Sequence, residues 1–196
     1  IDTFSADIVT ALSGKAIINQ IPRLQAIIDT TSGNRFTTDP AMNDLLIANT
    51  HQYAPSKYHL RRDGNKCRQQ SSGLVFSTWL GQGAWLNHII EQNTIEELRK
   101  NIQSDQINNH YFVVAREISH KQRIDQPWSW LDWTDQTTTI TSDMHRGYVV
   151  PDGWDEVHFN RGATITVNLA APKLCLLTFR KTIYDKLSDL IEQKLV

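Results

Sequence analysis

Apolar positions in the first 50 residues recur near helical spacing. Ile8, Val9, Leu12 and Ala16 fall toward one face, and Leu24, Ile27 and Ile28 make a second short patch after Pro22. Asp39 and Pro40 then look like a helix start. An aspartate suits the N-cap, a proline in the first turn loses no needed N–H, and Met42, Leu45 and Leu46 supply an apolar face. The pattern predicts a helical region over residues 1–50, with Thr30 to Asn34 as a polar loop.

After Pro55 the period shortens. Tyr58 and Leu60 alternate with His59 and Arg61, which predicts a strand with one apolar face, and Asp63-Gly64-Asn65 is a turn. Leu74, Val75 and Phe76 form a more buried strand that runs into Ser77, Thr78 and Trp79. Ala84 to Glu91 looks helical, and Thr94 opens another helix with Glu97 three residues on. Tyr111 to Ala115 is a compact apolar strand. Beyond it come a loop with Trp128, Trp130 and Trp133, a β-prone stretch at Thr137 to Thr141, and a punctuated loop from Asp143 to Trp154. Glu156 to Phe159 and Ala163 to Leu169 read as two strands around an Asn160-Arg161-Gly162 turn, and Leu174 to Phe179 as another. Ile183, Leu187, Leu190 and Ile191 mark a closing helix over 181–196. Helices first and strands later predict a single α+β domain over 1–196.

Composition narrows the classes. The 196 residues hold 20 Lys+Arg against 21 Asp+Glu, a formal charge of -1. With a pI near 6.7, phosphate-driven nucleic-acid binding is disfavoured. No apolar run reaches the roughly 18 residues that span a bilayer, so no membrane partner is expected. Two cysteines, Cys67 and Cys175, are too few for a disulfide scaffold, and no Cys/His pair stands at zinc spacing, so no metal is expected. The chain opens at Ile1 without a basic-plus-apolar signal, so it reads as a trimmed piece of something longer.

The segment richest in chemistry runs Trp154-Asp155-Glu156-Val157-His158-Phe159-Asn160-Arg161-Gly162 and on into the alternating stretch to Val167. A carboxylate at the start of a strand, led by a polar loop, is held rigidly at the edge of a cleft. This segment resembles the last motif of the bacterial mono-ADP-ribosyltransferase toxins, where a catalytic glutamate precedes such a strand. Phe76-Ser77-Thr78-Trp79 resembles, in part, that family's Ser-Thr-Ser motif, with Trp79 in the third place. Lys57-Tyr58-His59-Leu60-Arg61-Arg62-Asp63 resembles its first strand, which bears an Arg or a His facing NAD. Arg35, Arg61 and Arg62 are the candidate arginines.

The resemblance, over about residues 57 to 170, implies a split β-sandwich around an NAD cleft, a catalytic core over 57–180. It implies Glu156 as the catalytic carboxylate stabilising an oxocarbenium-like transition state, oriented by Ser77. It implies NAD, as substrate, held by His59, Arg61, Ser77 and Thr78, and an acceptor protein met by Tyr148 and Trp154. Because an indole only donates, Trp154 disfavours an arginine acceptor and leaves a Thr or Ser hydroxyl, speculatively on ubiquitin. A host-protein partner, and a secreted virulence effector delivered into a host cell, follow from the resemblance alone.

Two other readings stand beside it. The Trp128, Trp130 and Trp133 loop would serve a non-enzymatic protein- or carbohydrate-binding module. Cys67, beside Arg61, Arg62, Lys66 and Arg68, would serve a cysteine hydrolase if those cations lowered its pKa.

Overall fold

The computed structural model describes residues 3–179. Their architecture is a β-sandwich with helices on one outer face, rather than the α+β arrangement the hydrophobic pattern predicts. Fourteen strands follow the chain: β1 (Ile17–Ile21), β2 (Gln25–Asp29), β3 (Arg35–Thr37), β4 (Asp44–Asn49), β5 (Ser56–Arg62), β6 (Asn65–Ser71), β7 (Leu74–Ser77), β8 (Tyr111–Ala115), β9 (Leu131–Thr134), β10 (Thr138–Ser142), β11 (Arg146–Pro151), β12 (Val157–Asn160), β13 (Thr164–Asn168) and β14 (Leu174–Thr178). The helices are α1 (Phe4–Leu12), α2 (Leu86–Ile89), α3 (Gln92–Asn101) and α4 (His120–Asp125).

Sheet I has the order β3-β2-β13-β10-β5-β6 and sheet II the order β12-β11-β4-β7-β8-β9. β1 and β14 form a separate antiparallel pair. Ala26, Ile28, Tyr58, Leu60, Ile140, Ile165 and Val167 of sheet I meet Leu45, Ile47, Leu74, Phe76, Tyr111, Val113 and Val149 of sheet II in one buried core. The outer face of sheet II is apolar too. Phe112 and Val114 pack there against Trp79, Leu86, Ile95, Ile102 and Ile107, so α2, α3 and a short turn at Ser104–Asn108 cover that side.

Local chemistry explains the best-defined hairpin. β5 alternates strictly between buried and exposed positions, with Tyr58 and Leu60 inward and His59 and Arg61 outward. Asp63 and Gly64 both take positive φ, 47° and 72°, the two-residue turn whose twist matches its flanking strands. β6 therefore returns with Arg62 opposite Asn65.

The helical reading of 1–50 fails except at α1, and α1 buries none of its residues. Leu24, Ile27 and Ile28 belong to β2 and its approach, where Leu24, Ala26 and Ile28 alternate inward. The segment after Asp39-Pro40 is β4, a strand in the middle of sheet II whose first five residues are all buried. The physical reason is the run Leu45-Leu46-Ile47-Ala48. Apolar on both faces and only a few residues long, it fits a strand covered on both sides better than a one-faced helix.

A second correction concerns the segment around Glu156. β12 and β13 both exist, but they do not pair. β12 pairs with β11 in sheet II, and β13 with β10 and β2 in sheet I. The Asn160-Arg161-Gly162 turn carries the chain from one sheet across to the other, so that Phe159 and Ile165 both enter the shared core. The stretch from Asp143 to Trp154, read as loop, contains β11. The predicted closing helix over 181–196 lies outside the described residues.

Candidate functional site

β4 begins at Asp44 with its side chain on the outer face of sheet II, beside β7 and β11. Asp152, just after β11, fastens this end of the strand. Its carboxylate accepts the backbone N–H groups of Met42 (2.7 Å), Asn43 (2.8 Å) and Asp44 (2.9 Å), while its own N–H donates to the Asp44 carbonyl at 2.8 Å. Asp152 and Gly153 reach this geometry through positive φ, 45° and 77°, a region aspartate tolerates better than most side chains.

From β7, Thr78 donates to the Met42 carbonyl at 2.6 Å, and the Thr78 amide donates to the Asn43 carbonyl at 2.9 Å. Gly81 then passes so close that an added Cβ would lie 2.2 Å from the Asn43 oxygen and 2.7 Å from the Ser77 hydroxyl. Only glycine permits that approach.

The result is a cavity of about 390 Å³ bounded by Asp44, Asp152, Trp85, Leu46, Val150 and Gly153. Asp44 is 9% exposed, and its Oδ1 is buried without a hydrogen-bond partner. Burial is the largest influence on its carboxyl and raises the pKa. A hydrogen bond from Ser77 opposes this, the Asp152 charge reinforces it, and the Trp85 backbone lowers it, leaving the group pushed up to about 6. Trp85 walls the cavity, with the Arg116 guanidinium 5.3 Å from its ring centre. A largely buried carboxylate beside an aromatic wall suits a ligand that brings a hydroxyl and a flat ring. Among the described residues, no group of three or more His, Cys, Asp or Glu side chains is placed to hold a metal ion.

The predicted site residues fall in several places. Ser77 and Thr78 do stand at this cavity's edge, but the carboxylate beside them is Asp44. Glu156 is exposed in the loop before β12, where it pairs with His158 at 2.8 Å. β11 and β4 stand between β12 and β7, so three strand spacings, about 14 Å, separate that edge from Ser77. Ser77 therefore cannot orient Glu156. Tyr148 is half-buried on β11, and Trp154 is 74% exposed on the loop beyond it.

His59 and Arg61 lie on the outer face of sheet I, across the core from Asp44, and line a different cavity of about 560 Å³. Arg35 pairs with Asp29 at 2.6 Å on the surface. Arg62 is buried, bonded to Asp132 at 2.7 Å and to the Trp128 carbonyl.

The two rival readings also meet obstacles. Cys67 points into the core, and burial, the largest influence, raises its pKa against the weaker pull of Arg62. The thiol therefore stays protonated where a hydrolase needs a thiolate. Trp128, Trp130 and Trp133 are all part-buried. Trp128 lies under Arg62, Trp130 under Arg123, and Trp133 packs 4.3 Å from Phe112, so they pin the loop and form no open platform.

Asp44, Asp152, Trp85 and Gly81 were not singled out from the sequence. The available signals were an aspartate opening an apolar run, an Asp-Gly pair closing a strand, and two glycines just after Ser77-Thr78.

Solved structures supply the comparison. Yeast NADH kinase complexed with NADH superposes with a TM-score of 0.67 at 14% identity, covering 91% of this chain and 49% of that one. The fold is that of the NAD kinases. An NAD kinase from Archaeoglobus fulgidus in complex with ATP superposes with a TM-score of 0.61 at 13% identity, covering 99% of this chain and 66% of that one. The chain thus spans about half the length of the yeast enzyme and about two thirds of the archaeal one. No family model matches the sequence, and no curated protein matches it.

The NAD kinase fold overturns the resemblance to the ADP-ribosyltransferase toxins. The split sandwich around an NAD cleft, the transferase chemistry at Glu156 and the effector reading fall with it. The motifs misled because each is short: a strand-edge glutamate and a Ser-Thr at a strand end recur wherever strands end.

Proposed function

We propose that the Asp44 cavity binds one nucleoside half of an NAD(H)-class dinucleotide, and that the chain contributes this site to an NAD(H) kinase reaction. The observation that carries the reading is the buried Asp44 carboxylate, 9% exposed, in the lining of a cavity walled by Trp85. The fold shared with kinases solved with NADH and with ATP supports it.

In this reading the base lies against Trp85 and a ribose hydroxyl donates to the Asp44 carboxylate. Asp152 holds Asp44 in place through the backbone, accepting its amide N–H and donating to its carbonyl. Phosphorylation of NAD(H) joins a ribose oxygen to the terminal phosphorus of a nucleoside triphosphate. The bond from that phosphorus to the bridging oxygen breaks, and the hydroxyl proton must leave. With a pKa near 6, Asp44 is ionised at neutral pH and placed to accept the hydroxyl's hydrogen.

NADH fluorescence titration tests the reading. The wild-type chain is expected to bind NADH, and Asp44→Asn to weaken binding at least tenfold. Equal binding by both proteins, or none by the wild type at millimolar NADH, would overturn it.

A further inference from the structure

We propose that the outer face of sheet I carries a second binding site, for the oligophosphate group of a small ligand, independent of the Asp44 cavity. The argument begins with a conflict in the β5–β6 hairpin. Arg61 and Lys66 are direct cross-strand partners. Like charges in that position destabilise a sheet. Neither side chain has a hydrogen bond or an ion pair among the described residues, so nothing in that part of the chain compensates. One register step along, Arg68 stands opposite His59, and both share the single carboxylate of Asp143, at 3.3 Å and 3.4 Å. Cations are therefore gathered here in excess, in a chain whose formal charge is -1.

The neighbouring strand completes the site. β10 places Thr139 opposite Arg61 and Thr141 opposite His59. Each row across the sheet thus ends on a hydroxyl. The rows are two residues apart, about 7 Å along the strands. The face is concave, with a cavity of about 560 Å³. That volume lies in the range of small-molecule sites and is unlike the extended track that a nucleic-acid backbone follows. A guanidinium fork, an ammonium and hydroxyl donors in two short rows match phosphate oxygens on two linked phosphorus atoms. The same chemistry is offered by free pyrophosphate and by the tail of a nucleoside diphosphate.

Calorimetric titration at constant ionic strength decides the matter, with inorganic pyrophosphate, ADP and sulfate as probes. Pyrophosphate is expected to bind the wild type at one site, and sulfate at least tenfold more weakly. Arg61→Gln/Lys66→Gln should weaken pyrophosphate at least tenfold while raising the thermal midpoint, because it relieves the repulsion. Thr139→Val, which leaves every charge in place, should weaken it several-fold. Asp44→Asn should leave it unchanged, which separates this site from the NAD(H) reading. ADP equal to pyrophosphate assigns the site to free oligophosphate, and tighter ADP assigns it to a nucleotide tail. The proposal is overturned if pyrophosphate gives no heat at millimolar concentration. It is equally overturned if sulfate binds as well, if the double variant binds unchanged, or if a DNA duplex displaces pyrophosphate from these residues.

Discussion

A carboxylate oxygen held out of water without a donor costs free energy, and Asp44 Oδ1 is such an atom. Its pKa rises from 3.8 to about 6 on folding. Between those values the folded chain holds a proton that the unfolded chain has released, so stability falls as pH rises through that window and is flat above it. Discounted for the residual solvent around the group, the loss is on the order of 2 kcal/mol. Asp44→Asn should erase this slope and make the protein more stable than the wild type at neutral pH, while NADH binding drops. Urea midpoints measured on either side of the window check it. Gly81 fixes the same corner by its lack of a side chain. Gly81→Ala drives a methyl against the Asn43 carbonyl, which is backbone and cannot rotate away. A loss of about 1–3 kcal/mol is expected, read by thermal unfolding.

Among the elements, the link between the two sheets at one end of the core is polar. Arg62 leaves β5 in sheet I and meets Asp132 on β9 in sheet II, with its guanidinium 5.5 Å from the Trp128 ring centre. Beside it, the Tyr111 hydroxyl donates to the Gln136 carbonyl at 2.6 Å and lies 3.0 Å from the Thr138 hydroxyl. Arg62 is buried but Asp132 is 36% exposed, so the aspartate left by removing Arg62 keeps part of its solvation. Arg62→Ala should therefore cost about 1–2 kcal/mol, less than a fully buried pair, whereas Arg62→Met/Asp132→Leu should recover most of the loss. Chemical denaturation of the three proteins tests this. The β5–β6 hairpin was legible in the sequence because its information is local: period-two alternation and an Asp-Gly turn. β4 was not. Its Asp39-Pro40 entry satisfies the rules for a helix start, and only burial on both faces shows why a strand wins.

For the whole molecule, the sandwich places two cavities on opposite outer faces, one acidic with an aromatic wall and one cationic. If NAD(H) binds the folded chain at the Asp44 cavity, it stabilises that state by mass action. NADH at about 100 times its dissociation constant should add about 2.7 kcal/mol. The thermal midpoint of the wild type should rise accordingly, and that of Asp44→Asn by about half as much or less at the same concentration, since tenfold weaker binding leaves about 1.4 kcal/mol. A shift at least halved in Asp44→Asn, with a full shift in Arg61→Gln/Lys66→Gln, would place the dinucleotide at the first cavity and not the second.

By itself the sequence determined what short-range physics can specify: the alternation that turns Tyr58 and Leu60 inward, the turn at Asp63-Gly64, the buried strands at Leu74 to Phe76 and Tyr111 to Ala115, and the exposure of His59 and Arg61. It also marked Ser77 and Thr78 as worth attention. Which carboxylate they would meet was decided only in three dimensions. Asp44 precedes Ser77 by 33 positions and is its cross-strand partner, whereas Glu156 sits on the far edge of the same sheet. Strand order decided the rest, because β12 and β13 are adjacent in the chain yet lie in different sheets. Pairing between distant strands depends on burying both faces of the core at once, and no local run of residues encodes that sum.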